Sequence, residues 1–539
     1  MKQLSSRSIF FFAFEWKTPN ISNGGLTVIL DAASAGGWQV VQTHPFHQYS
    51  RTNYFHDFAR SAVFQTSESP VVYNFQKKID QPLQITIQNQ AIQKSPSEGI
   101  TTFNPICTFA TLDIYEFGVG IVSLTLDNSV PLPEQNENLV KKEDLLAIND
   151  LGRRLYPQTL NSGGLGAAQA SGLLPISIGF ENSIEHFSDF AIDPSSGKPP
   201  QRFLPKYLLH LFGSNFKIVP EEVGLEDVLV ENAFDDRMFV LSCLVDKKVS
   251  QDLKKIDKEG VFAYISDPFW YKFIYIDGGD ISVKNSSMLR KLLTDATYER
   301  WSEDGTLFGV SRYSFVAVSD KGWLFGPMTG NYAQLVKLCL IQRTAVIRFR
   351  EDATAIAASI ATGENPGAIA EKIRTLHGKF IRFSNRLNFR EVTSYEQGID
   401  LYDLIRRQMR VQEQVDALKE ELAELHDYAT QLSDSMRSKG MDALTILGSV
   451  FLIPTFLLTY FGFFDSWKKN WEQCHLWMFW SLIAGTVLAM CIFSSGWLSR
   501  GGSRRNIGIA FLLLYMTYAL ALPLFLEWFP QWFGISNQQ

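Results

Sequence analysis

The sequence predicts an α/β cytosolic domain, then a long helical stalk, then an α-helical transmembrane domain of two to three spans, the whole being oligomeric. Three observations carry that expectation. Strand and helix signals alternate up to about residue 330. An apolar seam with heptad spacing runs through 411–436. Three runs without charge follow it, each close to the ~20 residues that a helix needs to cross a hydrocarbon core.

At 539 residues the chain is too long for one ordinary domain. By pattern it divides into a β-rich part at 1–156, a linker at 157–175 and a second α/β part at 176–330, then the stalk at 331–442 and the transmembrane part at 443–539. A net charge of −6 with no basic patch argues against a nucleic-acid partner. Cys107, Cys243, Cys339, Cys474 and Cys491 form no C-x-x-C pair, which fits a reduced compartment better than a disulfide framework. The apolar run at 9–14 is cut off by Glu15 and Lys17 and has no small-residue cleavage site. It therefore reads as a first strand rather than a signal peptide, with the large N-terminal part in the cytoplasm.

"LTVILD", "WQVVQTH", "VVYNF" and "LQITIQ" read as short strands between turns. "TFATLDIY" and "VGIVSLTLDN" read as a hairpin joined near Phe117 and Gly118. "EDLLAINDLGRRLY" is an amphipathic helix with Leu146, Leu151 and Leu155 on or near one face, and the Gly-, Ala- and Ser-rich 157–175 is a loop. "RMFVLSCLV" and "WYKFIYI" read as buried strands, "SSMLRKLLTDATYERW" as a helix capped by Ser286 or Ser287, and "YSFVAVS" as another strand. After "GPMTG" the pattern turns helical, with "NYAQLVKLCLIQRTAVIRFREDA" and "GAIAEKIRTLHGKFIRFSNRLNF" separated by "TGENPG".

In the stalk, Val411, Val415, Leu418, Leu422, Leu425, Ala429, Leu432 and Met436 step alternately by four and three. Glu413, Lys419, Glu420 and Glu421 lie off that seam, so a bundled helix is expected, within or between chains. The charge-free runs at 443–464, 476–498 and 507–526 are the expected spans. Arg500, Arg504 and Arg505 follow the second run, against Lys468 and Lys469 after the first. Basic residues favour the inner side, which makes this a multi-pass protein of the inner (plasma) membrane in contact with lipid.

A cytosolic α/β domain, a helix running unbroken into "LTILGSVFLIPTF" and a short outer loop together resemble the CorA family of divalent-metal transporters, most sharply over 411–497. The resemblance implies a homopentamer whose first spans line a pore. It also implies magnesium or a similar divalent cation as the transported or regulatory ion. Where that family shows Tyr-Gly-Met-Asn-Phe, this chain has Tyr460, Phe461, Gly462, Phe463, Phe464 and Asp465. The asparagine is missing, so magnesium selectivity is not implied.

Ser438, Asp442, Thr445, Ser449, Leu452, Phe456, Thr459 and Phe463 also step by four and three, a stripe that reads either as a pore wall or as hydroxyls bonding their own helix or a neighbour. Pro454 permits a bend, and Asp465 reads as an outer ring of carboxylates or as a loop cap. His44, His47 and His56 form a weak zinc candidate without a fourth ligand. Asp235, Asp236, Asp277 and Asp280 read as regulatory cation sites between subunits or simply as turn residues. No catalytic motif appears, so no enzyme is expected. The expected function is a cation channel or transporter gated by its cytosolic domain. One alternative is a CorA-like membrane effector of type III CRISPR antiviral defence, opened by a nucleotide second messenger. Another is a membrane-anchored scaffold without a pore.

Overall fold

The computed structural model describes residues 6–18, 25–41, 53–65, 70–89, 99–128, 141–156, 173–187, 204–234, 236–256, 260–277, 279 and 281–463. The chain divides into two compact units, Met1–Ala429 and Thr430–Gln539.

The first unit is built on a mixed sheet. Its strands are β1 (Ser6–Lys17), β2 (Gln39–Val40), β3 (Val72–Pro82), β6 (Ile106–Tyr115), β7 (Val119–Asp127), β10 (Phe216–Lys217), β11 (Val228–Asn232), β12 (Phe239–Val245), β13 (Thr297–Tyr298), β14 (Leu307–Ser311) and β15 (Ser314–Ser319). They run in the order β13-β14-β15-β12-β1-β7-β6-β3-β2, and β11 also pairs with β1 and with β10. One sheet thus takes strands from both sides of 157–175. A smaller sheet holds β5 (Ile100–Phe103), β4 (Gln84–Asn89), β8 (Leu173–Gly179) and β9 (Glu185–His186).

β1 explains the layering. A central strand covered on both faces is apolar almost throughout rather than alternating, and "SIFFFAFEW" is such a run. Phe10, Phe12, Phe14 and Trp16 belong to one core with α1 (Gly25–Ala35), α3 (Lys142–Gly152), α4 (Lys206–Phe212), α6 (Pro268–Tyr275) and α7 (Ser286–Ala296), where Phe212 meets the Phe14 ring edge-on at 5.1 Å. The odd residues face the other way, and Glu15 reaches the long helix α9 (Asn331–Ala361). The remaining helices are α2 (Asp57–Val63), α5 (Lys247–Leu253), α8 (Phe325–Thr329), α10 (Pro366–Arg386), α11 (Glu396–Met409) and α12 (Val411–Phe463).

The β6–β7 hairpin, β12, β15, α9 and α10 form where the pattern predicts them, with Gly118 taking the positive φ of +79° that the hairpin turn requires. Two readings are corrected. "LTVILD" is not a strand but the start of α1, because the following "AASA" continues the helical spacing that buries Ile29, Ala32 and Ala33. "WYKFIYI" is α6: Pro268 opens it, and the Asp267 carboxylate caps it by accepting from the Trp270 N–H. Within "WQVVQTH" the described residues 38–41 contribute the two residues of β2, and α7 is capped by Asn285 rather than by either serine.

α12 is one continuous helix, and its heptad seam changes character along its length. Val411, Val415, Leu418, Leu422 and Ala429 are buried within the first unit, where His426 stacks on His377 of α10. That half of the seam is intramolecular. In the second unit Leu432 is half-buried and Met436 is 39 % exposed, and the apolar Met441 and Leu444, off the seam, are 64 and 78 % exposed.

The expected transmembrane domain is also corrected. Among the described residues no helix is long and apolar enough to cross a membrane. The described side chains of α12 include Asp434, Arg437, Lys439 and Asp442, which are costly in hydrocarbon. The fold class supported is an α/β sheet domain followed by a helical region. Neither the ion-channel description nor the multi-pass inner-membrane location is supported. The runs at 476–498 and 507–526 lie outside the described residues.

Candidate functional site

The element that joins the parts of the first unit is α9. Twelve consecutive residues, 335–346, are buried, as in a helix covered on all sides. Lys337, Gln342 and Arg343 are polar residues in that stretch, and each reaches in a different direction.

Lys337 faces the sheet. Its Nζ donates to Asp113 Oδ2 at 2.5 Å and to Thr111 Oγ1 at 3.0 Å, while Asp113 Oδ1 accepts from Asn74 Nδ2 at 2.7 Å. Further along, Arg348 Nη1 donates to Glu15 Oε2 at 3.0 Å. Burial of the Glu15 carboxyl outweighs that guanidinium and pushes its pKa up to about 7, with Glu351 adding to the rise.

Gln342 faces the opposite way. Its Nε2 donates to the Leu387 carbonyl at 2.8 Å and to the Tyr402 hydroxyl at 3.0 Å, and Tyr402 donates on to the Phe389 carbonyl. α11 then passes into α12 through Arg410, which takes a left-handed φ of +55°. Arg406 braces this joint by donating to Gln412 Oε1 at 2.7 Å and Asn388 Oδ1 at 3.3 Å.

Arg343 reaches sideways to the tip of the β14–β15 hairpin. Its guanidinium lies 4.5 Å from the centre of the Phe234 ring and 5.1 Å from that of Tyr313. Among the described residues its donors find only the Arg312 carbonyl at 3.2 Å and the Tyr313 hydroxyl at 3.4 Å. Nε has no partner although the residue is only 4 % exposed. Burial lowers its pKa, and the nearby charge of Arg312 acts in the same direction.

Around this residue the fold gathers more arginines. Arg237 lies 5.4 Å from the centre of the Tyr313 ring and its Nε donates to Asp236 Oδ1 at 2.8 Å. Asp236 also accepts from Arg154, whose other arm reaches Asp150 at 3.3 Å. Arg153 donates to Asp150 at 3.4 Å and to the Ile276 carbonyl at 2.9 Å, and burial brings its pKa down to about 10. A short bridge between Arg154 and Arg237 aligns the end of α3 with the β11–β12 connection. Three arginines therefore share two aspartates, and among the described residues Arg343 and Arg312 contact neither acid.

The residues singled out from the sequence lie elsewhere or play another part. Asp236 holds two arginines, which leaves it no room as a cation site, and Asp277 accepts from the Gly279 and Ser282 N–H groups as a turn residue does. Asp235, Asp280, His44 and His47 are outside the described residues. His56 precedes α2, stacks on Phe58 and lies 3.4 Å from Glu391. Among the described residues no cluster of His, Cys, Asp and Glu could hold a metal ion. Asp442 is exposed on α12, and Thr445 donates to the Met441 carbonyl of its own helix at 2.8 Å. Ser449, Leu452, Pro454, Phe456, Thr459, Gly462 and Phe463 are in the helical backbone of α12, whereas Phe464 and Asp465 are outside the described residues. The arginine cluster was missed because its members come from four separate segments with no spacing in common.

No family model matches the chain. Comparison with curated proteins and with solved structures likewise gives no match. The likeness to CorA proteins therefore rests only on the residues quoted above.

Proposed function

We propose that the protein is a self-associating signal transducer, in which α9 relays the state of the arginine-rich end of the sheet to α11 and α12. The observation that carries this reading is the way α9 is fastened. One buried helix is bonded to the sheet through Lys337 and Arg348, to the β14–β15 tip through Arg343, and to the α10–α11 segment through Gln342. Packed interiors shift between discrete arrangements rather than deforming smoothly, so a displacement at one fastening is passed to the others. Self-association is assigned to the part of α12 beyond Ala429, where Met436, Met441 and Leu444 stand exposed.

The test is Gln342→Leu followed by amide hydrogen exchange. The substitution removes the bonds from Gln342 to the Leu387 carbonyl and the Tyr402 hydroxyl, each of which keeps a bond to the Phe389 backbone, at a cost of about 1–2 kcal/mol, and leaves Lys337–Asp113 in place. Faster exchange is expected both in 396–429 and at the β14–β15 tip. Faster exchange confined to 387–402, with the hairpin tip unchanged, would rule out a relay.

A further inference from the structure

Arg343 is a charged side chain that the fold buries without completing. Two aromatic rings lie close to it, yet among the described residues its five N–H donors make two hydrogen bonds, at 3.2 and 3.4 Å, and its Nε makes none. Asp150 and Asp236 are already held by Arg153, Arg154 and Arg237. Arg312 makes no ion pair among the described residues and stands exposed at the hairpin tip beside Tyr313. A buried guanidinium without a counter-charge is expensive, and the unbonded Nε leaves donors on its edge for a partner. That edge matches two oxygens of one oxyanion, held bidentately.

We infer that Arg343, with Arg312 and Arg237 around Tyr313, is a binding site for the phosphoryl group of a small molecule, and that its occupancy sets the position of α9. Among the described residues Arg343 and Arg312 have no acid partner, and two such guanidinium groups suit a phosphoryl dianion better than a single carboxylate. Its bidentate partner would replace the two long bonds of Arg343 and draw the guanidinium toward the hairpin tip, moving α9 with it. The second half of the inference rests on the relay reading; the binding site does not.

Calorimetric titration of the full chain with pyrophosphate and with inorganic phosphate tests it, with sulfate and chloride as controls. Pyrophosphate is expected to bind more tightly than chloride by at least tenfold. Arg343→Lys keeps the charge but loses the planar fork, and should weaken binding about tenfold. Arg312→Gln lies on the surface, where folding is little affected, and should weaken binding several-fold. Absence of pyrophosphate binding at millimolar concentration, or equal binding by wild type and Arg312→Gln, would overturn the site. Hydrogen exchange separates the two claims. Binding that leaves exchange in 396–429 unchanged removes the relay and keeps the site. No binding, together with the expected Gln342→Leu response, removes the site and keeps the relay.

Discussion

Lys337 and Arg343 lie six residues apart on one buried helix, and the fold treats them oppositely. Lys337 meets a carboxylate that is itself held by Asn74, so each charged group in that network has a partner. Arg343 meets rings, a carbonyl and a hydroxyl, but no acid among the described residues. Both cations are desolvated, but only one is neutralised. A completed buried pair keeps a helix in register with a sheet. An uncompleted one retains the capacity to bind something else, which is why the candidate site is placed at Arg343 and not at the shorter Lys337 contact.

The largest effect is expected where the pair is complete. Lys337→Met leaves Asp113 charged and buried, and should destabilise the first unit by about 3–5 kcal/mol in denaturant unfolding. Pairing it with Asp113→Leu should recover most of that loss. If the single variant costs under about 1 kcal/mol, the two cations do not differ as described.

Glu15 sharpens the comparison, because its pair with Arg348 is complete in geometry but strained by burial. Its pKa is raised from 4.5 to about 7, so the folded state holds a proton that the unfolded state has lost. The associated stability is fully present below pH 4.5 and is lost as pH rises through 7, a change on the order of 3 kcal/mol. Glu15→Gln should flatten that part of the stability–pH curve. A wild-type curve that is level or rising between pH 5 and 7.5, and unchanged in the variant, would show that Arg348 keeps Glu15 ionised.

The smallest effect is expected at Arg343. Arg343→Met removes a desolvated charge that has no counter-ion and loses two long hydrogen bonds, so stability should change by no more than about 1 kcal/mol. A loss as large as that of Lys337→Met would mean that the guanidinium already has its partner, and the comparison would fail.

Much of the fold could be read along the chain. The β6–β7 hairpin, β12 and β15 follow from apolar runs bounded by turns, and α9, α10 and α12 from apolar spacing sustained over many turns. Short runs misled where period is ambiguous. "WYKFIYI" is as apolar as a buried strand, and its helical state is written in the preceding Asp267 and Pro268 rather than in the run itself. The transmembrane expectation came from hydropathy in 443–539, and the described helices do not support it.

The sequence by itself determined which segments bury and with what period, because hydrophobic patterning is a property of neighbours along the chain. It also determined the continuity of α12, which has no breaker between Val411 and Gly440. Only the tertiary structure decided that half of the heptad seam is covered within the chain. It alone decided that "EDLLAINDLGRRLY" ends in two arginines aimed at Asp150, and that Arg343 is buried beside Tyr313 without an acid. Charge pairing depends on distances of a few ångströms between residues as far as 333 positions apart, and nothing in their spacing along the chain records those distances.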